Sequence, residues 1–176
     1  GSITLQHFLE QYARLAGMTG TAVEAADELL DFYHVKVVPI PTHRPGIRRD
    51  DPDLVFRDKA AKHDALVAEI AQVHAAGGPV LVGTASVKES EDLAARLQAA
   101  GVPCQVLNAK NDELEAGIIA DAGAARAVTI STNMAGRGTD IRLGGRDERD
   151  RQAVLALGGL YVIGCNRHES RRIDNQ

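Results

Sequence analysis

The 176 residues predict a three-layer α/β sandwich built on a mostly parallel sheet. Three observations carry that expectation. From Gly78 onward, short β-type runs alternate with helical stretches whose ends are readable. The runs are near-continuously apolar with no polar alternation, as strands covered on both faces must be. Each helix-containing connection is about 20 residues long, enough for a right-handed crossover between parallel strands. Composition agrees: 44% of the residues are hydrophobic but only 3% are aromatic and Trp is absent, so the core must come from Ala, Val, Leu and Ile.

The elements can be justified in chain order. A helix is expected over residues 5 to 15, then a Gly/Thr-rich turn over 17 to 21, a helix near 23 to 32, and a strand-like run over 35 to 39. Four prolines among residues 39 to 52 mark a linker or hinge, with a boundary near 42 to 45. A helix starting at Asp58 buries Leu66, Ile70 and Val73 and stops at Gly77 and Gly78. The next helix has Ser86 as N-cap, with Glu89 completing a capping box. Val87, Ser90, Leu93, Ala94, Leu97 and Ala100 form its sheet-facing stripe, and Gly101 and Pro103 end it. A further helix runs from Asn111 to Gly123, with Asp112 and Glu113 in its first turn and Leu114, Ile118 and Ile119 turned inward. The strands lie at 79 to 83, 105 to 108, 127 to 131 and 160 to 164.

The charge balance narrows the function classes. With 24 acidic against 20 basic residues, the formal charge is -4, and no Lys/Arg block supplies the footprint of a duplex-binding protein. Nucleic acid is not expected as a partner. Cys104 and Cys165 lack metal-ligand spacing, so neither a disulfide framework nor a zinc site is indicated, and a reducing, cytosolic setting fits. No apolar run approaches the roughly 20 residues of a membrane-spanning helix, and no signal-peptide pattern opens the chain. Gly1 and Ser2 read as a protease scar left by recombinant expression.

Chemistry concentrates in the segment Thr132-Asn-Met-Ala-Gly-Arg-Gly-Thr-Asp-Ile141. It follows an expected buried strand and so begins at the carboxyl edge of the sheet, where open α/β folds bind ligands. Gly136 and Gly138 allow close approach to a partner, while Arg137 and Asp140 add opposite charges. The pattern suits a loop contacting phosphate or ribose; a glycine-rich turn with a local Arg-Asp pair explains the composition equally well. A dinucleotide fingerprint fails, because Ile141 stands where the third glycine belongs, and the run from Gly78 to Thr84 lacks the Lys of a Walker A loop. Tight ATP binding by the chain alone is therefore not expected. The tail Asn166-Arg-His-Glu-Ser-Arg-Arg-Ile-Asp-Asn-Gln176, read as helical, has the composition of a solvated helix face, yet it leaves the same sheet edge. His168 and Glu169 point apart on a helix and supply no hydrolase dyad.

Seven strings, in this order, resemble segments of the SecA preprotein-translocase family: Leu15-Ala-Gly-Met-Thr-Gly-Thr-Ala22, Pro41-Thr-His-Arg-Pro45, Pro79-Val-Leu-Val-Gly-Thr84, Val106-Leu-Asn-Ala-Lys110, residues 132 to 141, Ala156-Leu-Gly-Gly-Leu160 and residues 167 to 176. The resemblance covers essentially the whole chain and implies RecA-like lobes of the P-loop NTPase and helicase type. In that family two such lobes hold ATP with magnesium in the cleft between them and drive unfolded preproteins through the Sec channel. Residues 3 to 44 are then the end of the first lobe, with a helicase-type motif at Gly17, Thr19 and Gly20, and residues 45 to 176 are most of the second, regulatory lobe.

By the same resemblance Asp140 contacts nucleotide, Gly136, Arg137, Gly138 and Thr139 shape that side of the site, and Arg172, beside Arg171, takes part in a gating salt bridge to the preprotein-binding region. The family's Walker motifs would lie before this chain and its arginine finger just after Gln176, so the chain is expected to be inactive alone. Its partners would be the remaining lobe and preprotein-binding region, the Sec channel and preproteins, at the inner face of the plasma membrane. The short, charged span 141 to 157 and the Cys165-Asn166 pair depart from housekeeping members and fit an accessory paralogue. The second lobe of a nucleic-acid helicase, or a non-enzymatic module restraining an ATPase, are the alternatives.

Overall fold

The computed structural model describes residues 1–107, 112–132 and 140–168, with the side chains of residues 112–115 excepted. The chain divides into two compact units, one of Gly1–Pro52 with His168–Gln176 and one of Asp53–Arg167.

The first unit holds α1 (Leu5–Leu9), a 3-10 turn at Val23–Ala25 and α2 (Ala26–Tyr33). Thr4 caps α1 by accepting from the His7 amide at 3.3 Å. Instead of running to residue 15, the helix tightens into i to i−3 bonds at Gln11 and Tyr12 and stops. Its apolar face finds little cover: Phe8 and Tyr12 meet edge to face at 5.7 Å, but both stay exposed. A short helix without tertiary packing does not propagate in water. The expected helix from 23 begins as the 3-10 turn and ends at Tyr33, where His34 takes a left-handed φ of 54°. Residues 35 to 39 do not form a strand, since among the described residues no neighbouring strand pairs with them. None of residues 1–52 is buried.

The second unit is the three-layer sandwich. Its elements are α3 (Lys59–Ala76), β1 (Val80–Thr84), α4 (Val87–Ala99), β2 (Gln105–Leu107), α5 (Asp112–Asp121), β3 (Val128–Thr132), α6 (Arg151–Ala156) and β4 (Tyr161–Gly164). All pairings are parallel, in the order β2-β3-β1-β4. Val80 stands opposite both Val128 and Tyr161, which fixes the register of the three strands.

Alternation along the strands sends two sets of side chains to opposite faces. On one face Val80, Val82, Val128 and Ile130 form a core with Ile70 of α3 and Leu93, Ala94 and Leu97 of α4. Leu66, Val73, Tyr161 and Ile163 pack around it without being fully buried. On the other face Leu81, Thr129, Ser131 and Leu107 meet Ile119 and Ala122.

The helix ends follow local chemistry. Asp58 caps α3 by accepting from the Ala61 amide at 2.9 Å, and Gly77 closes it at φ 97°. Ser86 accepts from the Glu89 amide at 3.2 Å, and the Glu89 carboxylate reaches back to the amide of Ala85 at 3.1 Å. The capping box therefore closes one residue earlier than its usual target, the amide of the cap itself.

Four expectations are corrected. Ala100 is exposed, because it is the C-cap of α4 and not part of its buried stripe. The third helix ends at Asp121, before Gly123, while its proposed start at Asn111 and the Leu114 side chain lie outside the described residues. The fourth strand is not covered on both faces: as an edge strand it alternates, leaving Val162 64% exposed. The tail is not helical at its start, since residues 166–168 are irregular; residues 169–176 lie outside the described ones.

The Asp58 carboxyl lies below the ordinary carboxylate range, held there first by the Ala61 amide and then by the Arg57 guanidinium. A lowered folded-state value stabilises the fold above the unfolded-state value, and that contribution disappears as pH falls through the folded one. Asp58→Asn, which keeps the cap but removes the charge, is therefore expected to flatten the loss of stability below about pH 4, as read by urea unfolding at stepped pH.

Candidate functional site at the carboxyl edge of the sheet

The order β2-β3-β1-β4 contains a reversal. From β1 the chain turns to the α3/α4 face and returns as β2; from β2 it turns to the opposite face, through α5, and returns as β3. Beyond β3, the next described residues include Ile141, which lies on that second face with Leu81, Leu107, Ile119 and Ala122. The described residues that follow β1 and β3, α4 and Ile141, thus pack on opposite faces of the sheet. A crevice opens at such a point in open α/β sheets, and ligands bind there. In this sheet that point falls at Thr84 and Thr132, which are in register as the last residues of their strands.

The rim of that point is tied down. The Thr84 hydroxyl is buried and lies 3.3 Å from two acceptors, the carbonyl oxygens of Ser131 and Ser86, so it links the ends of β1 and β3 to the start of α4. On the other side of β1, the Cys165 amide donates to the Gly83 carbonyl at 2.8 Å, extending the β4 pairing by one residue. Lys62 donates to Asn166 at 2.9 Å, and Arg167 makes two bonds to the Asp53 carboxylate, at 2.8 and 3.0 Å. The Cys165 thiol is pushed up mainly by burial, with the Lys62 ammonium opposing the shift and the Glu89 carboxylate adding to it. Burial likewise raises Cys104, beside the core. Neither thiol has the electropositive, open setting of a reactive cysteine.

Of the residues singled out in the sequence, Gly136, Arg137, Gly138 and Thr139 lie outside the described residues, as do Arg171 and Arg172. Asp140 is described: it is exposed and irregular, directly before Ile141. Gly17, Thr19 and Gly20 belong to the other unit, where the Thr21 amide donates to the Thr19 hydroxyl at 3.3 Å in an exposed turn. No group of three or more His, Cys, Asp or Glu among the described residues could hold a metal ion.

What anchors Asp140 was not apparent in the sequence. Ile141 lines a small cavity of about 60 Å³ against the sheet, well below the volume of a ligand pocket. Residues 142 and 143 then press onto Gly123 so closely that a Cβ there would collide with the Arg142 carbonyl oxygen, and the Gly144 amide donates to the Gly123 carbonyl at 2.7 Å. Gly144 and Gly145 have φ of 92° and 79°. Arg146 adds an ion pair to Asp121 at 3.3 Å, holding the turn against the end of α5. In the sequence Gly123 is accounted for as a helix stop; its second role is to admit the backbone that follows Asp140. A second groove, of about 530 Å³, lies between α3 and α4 at Val67, Ala71, Arg96 and Ala100, toward the end of α4 remote from Ser86.

Comparison with known proteins bears on this edge. Residues 45–152 and 146–176 match the model of the SecA P-loop domain, and residues 1–30 match the SecA DEAD-like domain. Protein translocase subunit SecA 3 of Mycolicibacterium vanbaalenii is 56% identical over 175 residues, 99% of this chain and 22% of the relative. Protein translocase subunit SecA 2 of Mycobacterium leprae is also 56% identical, and that of Mycobacterium tuberculosis 55%, with the same coverage. The chain thus spans about a fifth of the length of these relatives.

Replacing Gly123 with Ala forces residues 142 and 143 away from α5 and is expected to destabilise the second unit by about 1–3 kcal/mol. Urea unfolding of Gly123→Ala beside Gly117→Ala measures it, since a Cβ at Gly117 meets only the far end of Arg146.

Proposed function

This chain belongs to the SecA family, and from that premise we propose that it presents one wall of an ATP site whose phosphate-anchoring residues are carried by another lobe of a longer protein. The observation that carries the reading is the reversal of strand order between Thr84 and Thr132, at the mouth of the segment that leads to Asp140. In this reading residues 3 to 44 close the first nucleotide-binding lobe and residues 45 to 176 form most of the second. Support for a boundary near there comes from the match to the P-loop domain, which begins at residue 45.

Within the site, Asp140 acts from a fixed base. Ile141 lies against the sheet and residues 142 and 143 pack on Gly123, which seats the backbone behind Asp140 so that its carboxylate can be offered to a ribose or to a metal-bound water. Gly136, Arg137, Gly138 and Thr139 complete this wall in the proposal, with Arg137 supplying positive charge toward phosphate. ATP arrives with magnesium, which in this proposal is held mainly by the other lobe. The chain alone lacks a Walker A lysine and is inactive by this account; its role is to complete and regulate the site.

The longer protein is proposed to be an ATP-driven preprotein translocase, working at the inner face of the plasma membrane with the Sec channel. Gly17, Thr19 and Gly20, and Arg171 and Arg172, serve in it as regulatory contacts to the first lobe and the preprotein-binding region. The relatives' names, SecA 2 and SecA 3, favour an accessory paralogue. The surplus of acidic residues favours a protein over a nucleic-acid substrate.

Mixing this chain, extended through the arginine-finger segment, with a separately purified first lobe is expected to restore ATP turnover. Asp140→Ala should then lower kcat/KM by about tenfold or more. Unchanged turnover in that variant would remove Asp140 from the site, and tight binding of duplex DNA or RNA at physiological salt would favour the helicase alternative.

A further inference from the structure

Three polar pairs join α3, and the residues before it, to β4 and the residues after it. Tyr161 donates to Glu69 at 2.7 Å, Lys62 to Asn166 at 2.9 Å, and Arg167 to Asp53 at 2.8 and 3.0 Å. The partners run in opposite order along the chain, 69, 62, 53 against 161, 166, 167, as an antiparallel helix and strand require. The first pair is half-buried and sits beside the core; the last is exposed on both sides.

The position of the last pair sets it apart. Asp53 is the first residue of the second unit and Arg167 the last. The polypeptide leaves this unit at two places, before Asp53 and after Arg167, and the pair fastens those two exits to each other. Asp53 directly follows the proline-rich stretch, and Arg167 opens the segment that contains Arg171 and Arg172. The guanidinium uses both Nε and an Nη on the two carboxylate oxygens, a fork geometry that fixes direction as well as distance and that lysine cannot reproduce. The Asp53 carboxyl is accordingly held below its ordinary range, chiefly by the Arg167 bonds.

We propose that Asp53 and Arg167 are positioning residues that clamp the two chain exits of this unit together, so that the positions at which the chain enters before α3 and leaves after β4 stay fixed to each other during ATP turnover. An exposed pair adds little to stability; its contribution is to geometry. The inference rests on the proposed nucleotide-site reading, and the experiment separates the two.

In the full-length protein that carries this chain, Asp53→Asn and Arg167→Lys are expected to lower kcat for ATP by about three- to tenfold while KM and the melting temperature stay near those of the parent. Exchange of the two residues, Asp53→Arg with Arg167→Asp, is expected to recover at least about half of the lost kcat, as an interaction between the pair requires. Single variants within about twofold of the parent, or an exchange no better than the singles, overturn the clamp. A melting temperature that falls in step with kcat also overturns it, by making the pair merely structural. Asp140→Ala, measured alongside, tests the nucleotide site itself: if it is silent while the clamp variants are impaired and rescued, the clamp survives and the reading of Asp140 fails.

Discussion

Parallel pairing on both sides of β1 is the constraint from which the rest of the second unit follows. With β3 on one side and β4 on the other, every described carboxyl terminus of a strand faces the same edge. The alternating side chains of β1 must also serve two cores, Val80 and Val82 under α3 and α4, and Leu81 toward Ile119 and Ile141. A single strand thereby ties both layers of helices to one plane. Because α4 and Ile141, which follow β1 and β3, pack on opposite faces of the sheet, the switch point at Thr84 and Thr132 is a product of connectivity.

Much of this was legible because local signals and the fold agree. Ser86 and Glu89 mark a helix start by their own hydrogen-bonding chemistry, and Gly77 a helix end by its left-handed backbone. Apolar runs without alternation gave β1 and β3, whose faces are both occupied. The same pattern misled at β4, where Val162 reads like its neighbours but lies on an edge strand; burial is a property of the neighbours, which a run of apolar residues does not encode.

The remaining misses share that cause. Residues 5 to 15 and 35 to 39 have the periodicity of a helix and a strand, but secondary structure of that length is stabilised by what it packs against, and residues 1–52 bury nothing. At Gly123 the local signal was real but incomplete: a glycine after a helix has a sufficient explanation in the turn, which conceals the backbone of residues 142 and 143 arriving from a distance. The carboxyl edge was placed correctly from the order of apolar runs, whereas the polar ties along it, Lys62 to Asn166 and Arg167 to Asp53, join residues more than a hundred positions apart and leave no trace in any local window.

The exposed outer side of β4 has a consequence of its own. Its backbone hydrogen-bonds to β1 on one flank only, and among the described residues no strand lies on the other. Beside that flank stand Val162 and Gly164, which carry neither charge nor proline. Such a border is a template on which a further extended peptide can be laid down, whether from elsewhere in a longer polypeptide or from another molecule in a concentrated solution. A lysine at Val162, already exposed on this border, would add the charge that discourages such pairing while leaving the packed interior untouched.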